Sequence, residues 1–254
     1  MRADRLKRMK EYIEEHGNVT MEQLCKSFGV SINTVRRDLA GLQETGEIQK
    51  IYGGVMSTQN RNLLYFDKRS EMNYDEKRRI GAKAAELVSD GDVIFIDSGT
   101  TTSEMVPHLI SKKVTIITGS LPVIRYAAGQ ENICLIVLPG IYDSHINSMT
   151  GGDTANYLKK FNVDSAFMAA SGFVPAIGAT HASMQEYDVK RCAIERSDNV
   201  YLMIDHSKLG NATLINYAAT EELTALITGE EPDEQMKTAC EEKNMTIIMA
   251  LEDK

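Results

Sequence analysis

Two sets of residues in this chain have types and spacings that could do chemistry. The first is a series of short Ser/Gly/Thr loops, each placed directly after an apolar run. Asp97-Ser98-Gly99-Thr100-Thr101-Thr102 follows DVIFID and precedes a helical stretch. Such a loop turns backbone N–H groups and hydroxyls toward a helix N-terminus, which suits a phosphate or a carboxylate. Thr118-Gly119-Ser120 ends the next run in the same way, Ser171-Gly172 a later one, and Asp205-His206-Ser207-Lys208 another. Lys208 therefore puts a cation among anion-binding loops. The segment Gly178 to Lys190 could bring His181, Glu186 and Lys190 to the same place. A plainer reading makes Glu186 and Lys190 an i,i+4 helix pair worth ~0.3 kcal/mol.

The second set lies in Val19 to Val55. Two short helices meet at Phe28-Gly29-Val30, and a hairpin follows that ends in Gly53-Gly54. At 100° per residue, Val35, Leu39 and Leu42 share one stripe of the second helix. Arg37 points nearly opposite, with Asn33 and Thr34 beside it and Arg36 and Asp38 flanking. Arginine can read guanine bidentately and asparagine can pair with adenine, so Arg37, Asn33 and Thr34 are expected near base edges. Arg36 and Ser31 are phosphate candidates, and Lys50 and Tyr52 could reach the DNA backbone from the hairpin. A solvated helix with two arginines is the bland alternative for Arg36-Arg37 taken alone.

These groups need elements to position them. Leu6, Met9, Tyr12 and Ile13 predict a first amphipathic helix over 3–16, closed by Gly17. Thr20 and Gln23 form a capping box for the next helix, and Ser31 caps the third, which runs to about Glu44. Residues 58–75 read as a linker, and a helix follows from Glu76 to Val88. Beyond it, nearly continuous apolar runs at 92–97, 114–118, 133–138, 165–169, 200–205 and 223–228 alternate with helical segments. Strands of this kind are buried on both faces, which predicts a doubly wound, mostly parallel α/β domain over 76–254 with a last strand at 246–250. Pro107 cannot sit deep inside a helix, so the helix after the 98–102 loop starts late or kinks. In a parallel sheet the loops at the carboxyl ends of the strands share one rim, where ligands collect.

Hydrophobic residues make up 43% of the 254, enough for one sizeable core and a small satellite domain. The net charge of −8 divides unevenly: residues 1–56 carry +1 and residues 57–254 carry −9. The acid belongs to the second part, and a nearly balanced first domain implies that dimerisation raises its DNA affinity. No apolar run is long enough for a membrane span. The N-terminus lacks the apolar core of a signal peptide, and the four cysteines, without metal spacing, are expected to be buried free thiols. These features point to the cytoplasm and to neither a metal nor a cofactor.

The matching residues Val30-Ser31, Thr34 to Leu39, Leu42, Gly46 and Tyr52-Gly53-Gly54-Val55 resemble the winged helix-turn-helix of the DeoR family of bacterial transcription regulators. The order of the later loops resembles that family's sensor domain, which is similar in fold to ribose-5-phosphate isomerase. The resemblance implies a repressor of a sugar or carbohydrate operon that binds double-stranded operator DNA as a dimer or tetramer. It implies a phosphorylated sugar as effector, with Ser98, Gly99, Thr100, Thr101, Ser120 and Lys208 at the phosphate end. Asp97, Asp164, Glu186 and Lys190 would lie nearer the sugar hydroxyls. Many family members carry asparagine where Gly119 stands, and two glycines where this chain has Pro139-Gly140. The runner-up is an isomerase or acyl-group transferase with a nucleic-acid module, for which Glu186 and Lys208 offer a base and an electrophile. The first 56 residues argue against it.

Overall fold

The computed structural model describes residues 2–16, 18–44, 48–51, 54–57 and 66–251. The first domain comprises α1 (Arg2–His16), β1 (Asn18–Thr20), α2 (Met21–Phe28), α3 (Ile32–Glu44), β2 (Ile48–Ile51) and β3 (Gly54–Ser57). Its core is Met9, Ile13, Val19, Leu24, Val35, Leu39, Leu42, Ile48 and Val55, so the helical stripes face one another as their periods require. Thr20 and Gln23 close the capping box, a contribution of about 1 kcal/mol. Gly29 has φ +62°, a left-handed turn that glycine adopts without a Cβ penalty. β1 pairs with β3, which pairs with β2, all antiparallel, so the hairpin gains a third strand that periodicity did not indicate. Asp38 is a correction. It is buried, not on the exposed flank, and its carboxylate accepts from Arg5 Nε at 2.8 Å.

The second part opens with α4 (Phe66–Glu71), inside the stretch read as linker, and α5 (Tyr74–Glu86). Then come β4 (Val93–Ile96), α6 (Thr100–Ser103), β5 (Val114–Thr118), α7 (Leu121–Ala127), β6 (Ile133–Val137), β7 (Ile141–Asp143), β8 (Ser148–Thr150) and α8 (Gly152–Leu158). β9 (Val163–Met168), β10 (Gly172–Val174), β11 (Gly178–His181), α9 (Tyr187–Glu195), β12 (Ser197–Met203), β13 (Ile215–Ala218), β14 (Ala225–Thr228), α10 (Glu234–Glu241) and β15 (Thr246–Met249) complete the chain.

Seven strands form one parallel sheet in the order β15-β14-β12-β9-β4-β5-β6. Side chains of a strand alternate between faces, and both faces here are apolar. Phe95, Ala166, Met168 and Leu202 enter one core with α8 and α9, while Ile94, Ile96, Phe167 and Met203 enter the other with α5 and α7. That is why the strand sequences read as unbroken apolar runs. α6 stops at Ser103, and Pro107 sits in a separate single turn at Val106–His108, where its missing N–H costs nothing. The small sheet β10-β11-β13 and the hairpin β7-β8 are additions to the expected alternation. Cys192 and Cys240 are buried, but Cys25 is half-buried and Cys134 is exposed on edge strand β6, against the expectation for all four.

Candidate functional site

Ser31, just before α3, and Asn33, Arg36 and Arg37 on it are exposed. Thr34 is half-buried; its Oγ1 lies 3.0 Å from Ser31 Oγ, and its backbone N–H donates to the same oxygen at 3.4 Å. The Ser31–Thr34 pair therefore closes the helix start and sets the polar face. Lys50 is exposed on β2, beside the helix in the hairpin. Tyr52 lies outside the described residues.

Parallel strand directions bring the other loops to the carboxyl rim, as expected. Asp97, one residue past β4, is 3% exposed. Its Oδ1 accepts from Ser98 N at 2.8 Å, and its Oδ2 accepts from Ala169 N at 2.9 Å and from Lys190 Nζ at 2.5 Å. Lys190 also donates to Ala169 O at 3.0 Å, lies 5.1 Å from the Tyr217 ring centre, and is 3.9 Å from Glu186 Oε1. The i,i+4 helix pair is thus secondary: the main partner of Lys190 is Asp97, 93 residues earlier. Glu186 Oε1 accepts from Ser98 Oγ at 2.7 Å, and Oε2 meets His181 Nε2. Burial alone would raise the Glu186 pKa, but His181 and Lys190 outweigh it and hold the carboxyl well below its ordinary range. Burial first, then Asp97 and Glu186, push the Tyr217 phenol well above its ordinary value, so its O–H remains a donor, here to Ala169 O at 2.8 Å.

Gly99, Thr100 and Thr101 are buried at the start of α6. Ser120 is fully buried, and its Oγ has no hydrogen-bond partner among the described residues. The β7-β8 hairpin covers this side: Met149 N donates to Gly119 O and Leu121 N donates to Asn147 O, both at 2.9 Å. A Cβ on residue 119 would stand 3.1 Å from Met149 O, so glycine there goes with the close hairpin. The space enclosed by Asp97, Ser98, Gly119, Met149, Thr150 and Glu186 is about 10 Å³, room for one water. A larger ligand requires this cover to move.

Asp164 is not part of this assembly. It opens β9 at the amino end of the sheet, where its carboxylate accepts from Val93 N at 2.7 Å. Position one residue into a strand puts it a full strand length from the rim. Lys208 ends the single turn after β12 and is half-buried, and its charge bears on Asp205 and Lys77. Lys208, with hydrogen bonds from Ser207 and Asn73, overcomes the burial of Asp205 and lowers its pKa.

Sequence reasoning missed Lys77, which is 3% exposed. Burial, reinforced by Lys208 and Arg69 against Asp205 and Glu104, lowers its pKa to about 8. A signal was available: Lys77, Ile80, Gly81, Ala84 and Val88 share one helical stripe, and a lysine on a buried stripe calls for a partner. Arg69 on α4 was missed because the segment read as linker. Glu76, His206 and Glu230 bring candidate ligand atoms within 4.8 Å of one another. Both Glu76 oxygens are already engaged, by the His206 and Gly229 amides and the His206 ring, so the group is accounted for as a carboxylate–imidazole lock.

Comparison with known proteins matches two stretches of the chain. Residues 5–61 match the DeoR-like helix-turn-helix domain, and residues 72–230 match the DeoR C-terminal sensor domain. The chain is 39% identical over 251 residues to the HTH-type transcriptional regulator IolR of Bacillus subtilis, covering 98% of this chain and 100% of that one. It is 30% identical over 224 residues to the glycerol-3-phosphate regulon repressor of Escherichia coli, covering 87% and 88%. Ribose 5-phosphate isomerase A of Methanocaldococcus jannaschii superposes over 54% of this chain and 55% of its own, at 21% identity and TM-score 0.41, too partial to argue from.

Proposed function

This chain belongs to the DeoR family of transcription regulators, and from that premise we propose that a phosphorylated sugar or related metabolite on the carboxyl rim decides whether α3 occupies operator DNA. The protein is a regulator and not an enzyme, as its near full-length relatives are. The observation that carries the effector reading is the convergence of Asp97, Ser98, Glu186 and Lys190 on one rim, flanked by the Thr100-Thr101 helix start and by Lys208. Carboxylates and lysine suit sugar hydroxyls; backbone N–H groups, hydroxyls and a cation suit a phosphate. A relative named for the glycerol-3-phosphate regulon favours a phosphorylated ligand here as well.

In this reading Arg37, Asn33 and Thr34 face base edges, and Arg36, Ser31 and Lys50 face phosphates. The protein acts in the cytoplasm, on the nucleoid when bound, as a dimer or tetramer whose paired helices meet paired half-sites. It represses a carbohydrate operon. The ligand shifts the population between DNA-competent and incompetent arrangements through its different affinity for the two.

The test is a gel shift on DNA flanking its own gene. Inorganic phosphate, ribose 5-phosphate, glucose 6-phosphate, fructose 6-phosphate and glycerol 3-phosphate are added in turn, beside an isomerase assay on the same compounds. A changed DNA affinity without turnover is the expected result. Turnover with unaltered DNA binding would sink the proposal.

A further inference from the structure

Ser171, His181, Glu186 and Ser98 form one continuous chain of polar contacts across the rim. Ser171 Oγ lies 3.3 Å from His181 Nδ1, His181 Nε2 meets Glu186 Oε2, and Glu186 Oε1 accepts from Ser98 Oγ at 2.7 Å. The four residues come from separate places: the loop after β9, the end of β11, the single turn before α9 and the loop after β4. His181 is 5% exposed and Glu186 3%, while Ser171 and Ser98 are half-buried. Neither His181 Nε2 nor Glu186 Oε2 has a hydrogen bond elsewhere among the described residues.

The charges explain why the imidazole is there. Two buried carboxylates, Asp97 and Glu186, meet one ammonium. Lys190 Nζ sits 2.5 Å from Asp97 Oδ2 but 3.9 Å from Glu186 Oε1, so the lysine is committed to Asp97 and His181 answers Glu186. Burial pushes the Glu186 carboxyl up, and His181 ahead of Lys190 brings it down. A carboxylate on Nε2 requires the hydrogen on that nitrogen and leaves Nδ1 to Ser171.

The chain ends on the enclosed space, which Asp97, Ser98 and Glu186 line. Ser98 gives its hydroxyl hydrogen to Glu186, so what its oxygen has left to offer is lone pairs. The nearby donors are engaged: Lys190 on Asp97 and Ala169 O, and Tyr217 on Ala169 O. A wall of acceptors is satisfied by a group that donates, such as a ligand hydroxyl, and it opposes phosphate oxygens.

We propose that His181, oriented by Ser171, is a positioning residue of the effector site: it holds the Glu186 carboxylate on Ser98 and thereby sets this wall to read the hydroxyl end of the ligand. The inference rests on the effector reading above and adds which end of the ligand enters here and what keeps the wall selective. Without His181, Glu186 is left buried with Ser98 as its one close partner. It then takes a proton or draws Lys190 from Asp97, and either change spoils the acceptor pattern.

The test uses the full chain. Calorimetry gives Kd for inorganic phosphate and for ribose 5-phosphate, glucose 6-phosphate, fructose 6-phosphate and glycerol 3-phosphate. For any sugar phosphate that binds the natural protein, His181→Leu should raise Kd at least ~10-fold, the size of a hydrogen bond to a charged group. Inorganic phosphate should change by less than about 2-fold, because it has no hydroxyl end to place. His181→Gln keeps an N–H donor for Glu186 and should recover most of the loss. An unchanged Kd for the sugar phosphate in His181→Leu, an equal loss for inorganic phosphate, or no recovery in His181→Gln overturns the proposal. If His181→Leu does not fold, the ring-nitrogen NMR signals of His181 in the natural protein decide: a bound sugar phosphate must move them and inorganic phosphate must not. Failure of every sugar phosphate to bind the natural protein overturns the effector reading itself and this inference with it. That outcome is distinct from binding indifferent to His181.

Discussion

Arg36 and Arg37 on α3 stand exposed in water, whereas Asp97, Glu186 and Lys190 on the rim are each at most 3% exposed. Both regions concentrate charge, but for opposite physical ends. The reading helix must meet a partner that brings its own negative charge, so its arginines stay hydrated until they replace the counterions condensed on DNA. The rim holds its charges away from water, where each must be answered by another side chain. Exposed charge can be removed with little effect on folding; buried charge cannot. Function and stability are therefore separable on α3 and entangled on the rim.

The largest effect should come from breaking that entanglement. Lys190→Ala leaves the Asp97 carboxylate buried beside Glu186 without its cation, and should destabilise the second domain by about 3–5 kcal/mol in urea unfolding. A loss under about 1 kcal/mol would mean that the rim tolerates unpaired charge as a surface does. Next, Arg37→Ala should cost about 1–3 kcal/mol of operator affinity and relax base preference, with unchanged melting. Arg36→Ala should instead weaken binding to all sequences alike and reduce the salt slope by about 1, measured across a salt titration. Lys208→Ala, half-buried and lightly partnered, should sit between the two regions. It should weaken a phosphorylated effector by about 1.5–3 kcal/mol and leave DNA affinity intact. A normal effector response from this variant would remove Lys208 from the site.

The smallest effect is one of pH. A phosphate monoester is half-way through its second ionisation at about pH 6, while Lys77 loses its proton through about pH 8. Effector affinity should be greatest between these values and fall above pH 8 by no more than about tenfold per unit. Without ligand the sign reverses. The Lys77 pKa lies below its ordinary 10.5, so the unfolded chain binds more protons between about 8 and 10.5 and stability should rise with pH there. DNA affinity, read by a helix that does not carry Lys77, should lack the fall seen for effector over that window. Calorimetry and chemical unfolding at pH 7, 8 and 9 separate these trends.

The same comparison explains what could be read in advance. Val35, Leu39 and Leu42 mark a buried stripe, and that stripe alone places Arg37 outward. Strands β4, β5, β9, β12 and β14 announce themselves as apolar runs because both sheet faces are covered. Asp38 was misplaced because its partner Arg5 lies on another helix, beyond the reach of a helical-wheel argument. Asp164 was misplaced because a resemblance carries a residue type to a position but not the end of the strand on which it falls. α4 went unseen because a charged six-residue turn has too little apolar period to stand out.

Local order along the chain dictates the reading helix, its cap, the alternation of strands and helices, and the existence of a loop-bearing rim, since each depends on neighbours within a few residues. Folding in three dimensions settles the rest. It makes Asp97 the partner of Lys190, sets Ser98 on Glu186, brings Lys77 Nζ to the Arg69 carbonyl, and closes the pocket with β7-β8. The physical reason is reach. A helix face is fixed by a rotation of 100° per residue, but a buried charge takes whichever partner the packing of distant segments brings within about 3 Å.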